Sequence, residues 1–217
     1  MRAMEKTLIV KRTARYQQLG DINPKTKEIW FTLHGYGQLS GYFIRHFKPF
    51  EREDRCIVAP EALSRFYLER DGGRVGATWM TKEDRLNEME DYISYLNTLF
   101  THLTSSIDQP KEIAVTILGF SQGVSTAMRW ALRGNASVNR IILWAGSIPP
   151  EVNLKAERDR INSMNPVFVV GTDDQFISAE HRQQAVNHLK RHGINCPIIT
   201  FEGKHVIHAA TLKKLLG

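Results

Sequence analysis

Apolar positions along this chain alternate between two patterns. Short runs rich in Val, Ile and aromatic residues occupy positions 7–10, 29–33, 56–59, 113–120, 141–144, 167–170 and 198–201, and each reads as a strand. Between them lie longer stretches with helical steps. In residues 82–107, Leu86, Met89, Ile93, Leu96, Leu99 and Leu103 recur at three- and four-residue intervals and fall on one face of a helix. Residues 121–132, 179–191 and the C-terminal 206–217 read the same way. Gly134 with Asn135, and Gly193, stand where a helix end favours a residue tolerant of positive φ.

Strands that alternate with helices imply βαβ units, so the predicted class is α/β, with a mostly parallel central sheet and helices on both faces. "IAVTILGF" at 113–120 is apolar without interruption, as a central strand buried on both sides would be. "TLIVKRTARY" at 7–16 is more polar and reads as an edge strand running antiparallel to the rest. In sheets of this kind, chemistry collects at the carboxyl ends of the strands.

Length adds that residues 1–217 suffice for one domain with a sizeable core and fall short for two, and no repeat or linker marks a boundary. The apolar run from Leu8 to Val10 is too short for a signal-peptide core, and no window approaches the roughly 18 apolar residues of a membrane helix, so a cytoplasmic location without integral membrane contact is expected. The net charge of +6 comes from Lys and Arg interleaved with acids, as in "FEREDR" and "KAERDR", which argues for a solvated basic surface and against a nucleic-acid partner. Cys56 and Cys196 have neither metal-type nor redox-type spacing. A homodimer is left open.

Candidate chemistry begins at Gly119-Phe120-Ser121-Gln122-Gly123, the end of the best strand and the start of a helix. In that context G-x-S-x-G is a nucleophile elbow: small residues two before and two after the serine let the chain reverse sharply and expose Oγ above the sheet. Such a serine needs a base and an orienting acid, and the sheet places them after later strands in the order Ser, Asp, His. "GTDD" after the run at 167–170 offers Asp173 or Asp174. His205, in a loop after the last strand, is the candidate base, ahead of His208 in the first turn of the terminal helix; His46, His102 and His188 fall on helical or surface stretches. Backbone N–H groups for an oxyanion are expected from Gln122, after the nucleophile, and from Tyr36 in the loop His34-Gly35-Tyr36-Gly37.

With "LHGYG", "GFSQG", "GTDD" and "GKH" in this order, the chain resembles the α/β-hydrolases, and among them the small phospholipase/carboxylesterase group that includes acyl-protein thioesterases. The resemblance covers nearly the whole chain. It selects Asp174, three residues after Gly171, as the acid, and "GATW" at 76–79 matches a segment that borders the acyl site. It implies a serine hydrolase needing no cofactor or metal and acting on small-molecule esters or thioesters. A non-catalytic ligand-binding protein, or an amidase or peptidase, is the alternative. Gln38 stands where the thioesterases commonly carry Asp, and residues 61–79 differ from the eukaryotic pattern, which leaves the substrate open. Residues 61–82 are expected to set specificity, with Trp79, Phe66, Tyr67 and Phe176 as candidate apolar walls.

Overall fold

Strand β6 (Ala114–Phe120), the run that is apolar without interruption, lies at the centre of a seven-stranded sheet because both of its faces can be buried. The computed structural model describes residues 3–70, 72–105, 107 and 112–216. The other strands are β1 (Tyr16–Leu19), β2 (Glu28–Leu33), β3 (Arg55–Pro60), β7 (Arg140–Trp144), β8 (Val167–Gly171) and β9 (Ile198–Phe201). Their order is β1-β3-β2-β6-β7-β8-β9, parallel except for β1, which runs antiparallel to β3 at the edge.

Successive strand residues point to opposite faces, and the core divides accordingly. Phe31, Val58 and Ile117 face one side, where they meet helices α2 (Arg85–Thr104) and α3 (Gln122–Arg133); Trp30, Ile57 and Leu118 face the other. That second face is covered by α1 (Ser40–Phe43), the 3₁₀ segment Ile44–Phe50 and α6 (Ala209–Leu216), through Phe43, Phe47 and Leu212. Helices α4 (Arg158–Ser163) and α5 (Ala179–Arg191) follow β7 and β8 and join the first face through Ile161 and Leu189.

The N-terminal run differs from its expectation. Residues 7–10 form no strand, and Leu8, Ile9 and Val10 are exposed; the edge strand lies further on, at Tyr16–Leu19, paired from Tyr16↔Pro60 to Leu19↔Ile57. Helix α2 starts at Arg85, three residues after the expected start; of the expected C-terminal end, Ser106 lies outside the described residues. Gly193 has the anticipated positive φ of 70°, but Gly134 is extended, and a side chain there would collide with Trp130 and Asn97. A hairpin of β4 (Ser64–Tyr67) and β5 (Val75–Thr78) forms a separate two-stranded antiparallel sheet that the strand pattern did not anticipate. Among the described residues no helix is long and apolar enough to cross a membrane.

This division of the core is testable by chemical denaturation. Phe31 is fully buried with its ring edge-on to Trp130 at 4.9 Å, so Phe31→Ala is expected to cost about 3–5 kcal/mol. Leu8→Ala, on the exposed segment, is expected to change stability by less than about 0.5 kcal/mol.

Candidate active site

Five sequence-predicted residues, Tyr36, Ser121, Gln122, Asp174 and His205, come from loops at the carboxyl ends of β2, β6, β8 and β9. Ser121 forms the junction of β6 and α3 with φ 54° and ψ −117°, a backbone conformation that L-residues seldom hold. Its N–H donates to Trp144 O at 2.8 Å, and its carbonyl accepts from Val124 N–H at 3.0 Å. The turn depends on glycine at three places. A Cβ on Gly119 would collide with Gly123 O, one on Gly123 with Leu33 O, and one on Gly146 with Ser121 O. Gly119 and Gly123 therefore serve as expected, and Gly146, after β7, is a third member that the motif does not contain.

Asp174 lies almost fully buried in the loop after β8. Its Oδ1 accepts from the N–H groups of Phe176 and Ile177 at 2.9 and 3.2 Å, which fixes the carboxylate, and its Oδ2 lies 2.8 Å from His205 Nδ1. The two loops meet backbone to backbone. Asp173 N–H donates to Gly203 O at 2.9 Å, and a side chain on Gly171 would strike that same carbonyl. The His205 ring is held between Phe120, the neighbour of Ser121, at 4.9 Å and Phe176 at 4.7 Å. Asp173 points elsewhere, within reach of the Thr172 hydroxyl. His208 lies just before α6 and not within its first turn; it accepts Leu212 N–H on its carbonyl and stacks on Phe201.

The loop after β2 comes close to the elbow, since a Cβ on Gly35 would lie 3.2 Å from Ser121 Cβ. Gln38 closes this loop by accepting Gly35 N–H on Oε1 at 2.8 Å, while Gly37 N–H donates to Ala77 O and Gln38 N–H to Gly35 O. The N–H groups of Tyr36 and Gln122 donate to no acceptor in the protein among the described residues. The Gln122 side chain braces the hairpin, accepting Trp79 N–H at 3.1 Å and donating to Met80 O at 2.8 Å.

Sequence reasoning missed two supports. Trp144, fully buried at the end of β7, accepts Ser121 N–H on its carbonyl and donates its indole N–H to Val206 O at 2.9 Å, so one residue ties the serine turn to the histidine loop. A large side chain with one N–H at the end of the strand beside the elbow was the available signal. His34 is the other. Its Nδ1 donates to Gly35 O at 2.8 Å and its Nε2 accepts Ala62 N–H at 3.1 Å, an arrangement that only the neutral ring allows. Burial, only partly offset by the Gly35 hydrogen bond and the Glu61 carboxylate, pushes His34 down to about 4. Of the candidate walls, Trp79 is buried against His34 and Tyr92 with its indole N–H on His34 O, Phe66 packs at a tilt on Tyr36, and Tyr67 and Phe176 are exposed. Among the described residues no three His, Cys, Asp or Glu side chains are grouped to hold a metal ion.

A mostly parallel sheet with a serine at the β6–α3 junction, and an Asp–His pair delivered by two later strands, is the architecture of an α/β-hydrolase. The chain belongs to the phospholipase/carboxylesterase family, whose model matches residues 21–216. Among solved structures it is similar to esterase PE8, at 23% identity and TM-score 0.70, over 94% of this chain and 97% of that one. It is also similar to Zea mays acyl-protein thioesterase 2, at 20% identity and TM-score 0.68 over 94% and 100% of the two chains. The Bacillus cereus carboxylesterase follows at 12% identity and TM-score 0.64, over 94% and 92%. At these identities the likeness is one of fold. No curated protein sequence matches the chain.

The neutral His34 carries a pH signature. An unfolded histidine takes up its proton near 6.5, whereas folded His34 resists protonation down to about 4. Its contribution is complete above pH 6.5 and lost as pH falls through that window. Between pH 7 and 4 the wild type is expected to lose about 3 kcal/mol more than His34→Gln, measured by urea unfolding at each pH.

Proposed function

We propose that this protein hydrolyses carboxylic esters or thioesters through Ser121, His205 and Asp174. The observation that carries the reading is the 2.8 Å contact of His205 Nδ1 with Asp174 Oδ2, in a loop packed against the strand end that bears Ser121. Asp174, fixed by two backbone N–H groups, holds the proton on Nδ1 and leaves Nε2 as the base. Ser121 Oγ then attacks the acyl carbon while its proton passes to Nε2. The carbonyl oxygen becomes an oxyanion that accepts from the N–H groups of Tyr36 and Gln122, and the amino end of α3 favours the negative charge. The imidazolium returns its proton to the departing alkoxide or thiolate, leaving an acyl ester on Ser121. Water, deprotonated by His205, attacks that ester and releases the acid, and the proton goes back to Oγ. Cytoplasmic residence in one domain belongs to the same proposal, supported by the unpaired Cys56 and Cys196.

The experiment is hydrolysis of p-nitrophenyl esters from acetate to palmitate, with fluorophosphonate labelling in parallel. Wild type is expected to turn over and be labelled. Ser121→Ala and His205→Ala are expected to lower kcat by on the order of 10³ or more while still folded. A folded wild type that is neither active nor labelled overturns the reading in favour of a non-catalytic binder. Amide turnover matching ester turnover would make it an amidase instead.

A further inference from the structure

Helix α5 is loosely seated. Of its 13 residues only Leu189 is buried, although the helix is fixed at both ends. Near its start Arg182 donates to Gly171 O at 2.8 Å and Thr172 O at 3.2 Å; beyond its end Asn162 donates to Gly193 O at 3.0 Å. Between these ties Ala185 and Val186 overlie a cavity of about 250 Å³. Ile148 and Pro149, from the loop after β7, and Phe168 and Ile198, from β8 and β9, also line it. Phe176 and Gly146 are among its lining residues. These two residues touch the site: the Phe176 ring stands 4.7 Å from the His205 ring, and Gly146 lies so close beneath Ser121 O that no Cβ would fit.

The hairpin side is organised differently. Trp79, the expected wall, is locked in the core by its hydrogen bond to His34 O and its packing on Tyr92, and Phe66 is paired with Tyr36. The cavity lining is mainly apolar, with His181, His188 and Ser147 as its polar members. Through Gly146 and Phe176 it borders both Ser121 and His205, so an alkyl chain attached to a carbonyl at Ser121 has apolar surface to bury on the α5 side.

We propose that the cavity beneath α5 receives the acyl chain of the substrate, so that α5 and the loop after β7, and not the β4–β5 hairpin, select chain length. This rests on Ser121 and His205 being the reacting pair.

The leaving group is held constant with p-nitrophenyl esters, and the ratio of kcat/KM for octanoate over acetate is read. Val186→Trp and Ile148→Trp, filling the cavity from α5 and from the loop after β7, are each expected to lower that ratio at least about tenfold, whereas Tyr67→Ala on the hairpin shifts it less than about twofold. Thermal unfolding of each variant shows which are folded, and one folded filling variant suffices. A second readout needs no turnover: Ser121→Ala, titrated with octanoate by calorimetry, is expected to bind saturably and to lose that binding when Val186→Trp is added. The proposal is overturned if both the ratio and the binding survive filling, if Ser121→Ala does not bind octanoate, or if Tyr67→Ala shifts the ratio instead. It is also overturned if filling discriminates against long alkyl acetates but not long acyl esters, because the cavity would then hold the alcohol. Octanoate binding that is lost on filling, in a wild type without esterase activity, upholds the cavity and rejects the catalytic reading.

Discussion

Everything at the carboxyl edge of the sheet depends on one backbone conformation, that of Ser121 at φ 54° and ψ −117°. A non-glycine residue in such a region costs on the order of 1–3 kcal/mol and persists only where its surroundings dictate it. Here they do so from the two strands that flank β6. Trp144 O of β7 accepts Ser121 N–H, Leu33 O at the end of β2 presses on Gly123, and Gly146 lets the chain after β7 pass directly under Ser121 O. The strain is thus held by close backbone approach, possible only because Gly119, Gly123 and Gly146 lack side chains. Reversing the chain in so short a space is also what leaves Gln122 N–H without an acceptor among the described residues.

The same economy joins the remaining loops. Strands β8 and β9 are adjacent and parallel, so the loops leaving them start side by side, and Gly171 against Gly203 lets them touch. Asp174 then needs only its own short turn, closed on Phe176 and Ile177 N–H, to present Oδ2 to His205. Trp144 connects this pair of loops to the elbow, its carbonyl on Ser121 N–H and its indole on Val206 O. A shift of β7 relative to its neighbours would therefore move the serine and the histidine loop together, preserving their relation better than two independent anchors would.

Much of this was legible in the chain. Six of the seven sheet strands lie where the apolar runs placed them, because a strand buried on both faces carries its own signal, and the residues of the expected triad sit in loops at the ends of three of those strands. The failures share a cause. Leu8 to Val10 look more like a strand than Tyr16–Leu19, but an edge strand is defined by its partner, and the register with Ile57 to Pro60 falls to the more polar segment. The strands of the β4–β5 hairpin are four residues each and pair with one another outside the main sheet, so they lacked the long apolar run that marks a sheet strand. Trp79 was noticed as a candidate wall from its place after the hairpin, but the packing of its ring is set by His34 and Tyr92, contacts that no local pattern announces. Gln38 likewise does local work, since it caps Gly35 N–H and shapes the loop that carries Tyr36 N–H.

The polar character of α5 also acquires a physical sense from this geometry. A helix with a single buried side chain gains little from packing, and near its start it is attached by Arg182, whose guanidinium is bound to the carbonyls of Gly171 and Thr172. Those carbonyls belong to the strand end and loop that launch Asp174. Phe176, between them and the cavity, touches both the space beneath α5 and the ring of His205. Whatever fills that space presses on a residue whose N–H holds the Asp174 carboxylate and whose ring walls the imidazole. Phe176 thus borders both the space beneath α5 and the imidazole of His205, and Gly146 gives the same space a backbone contact with the elbow.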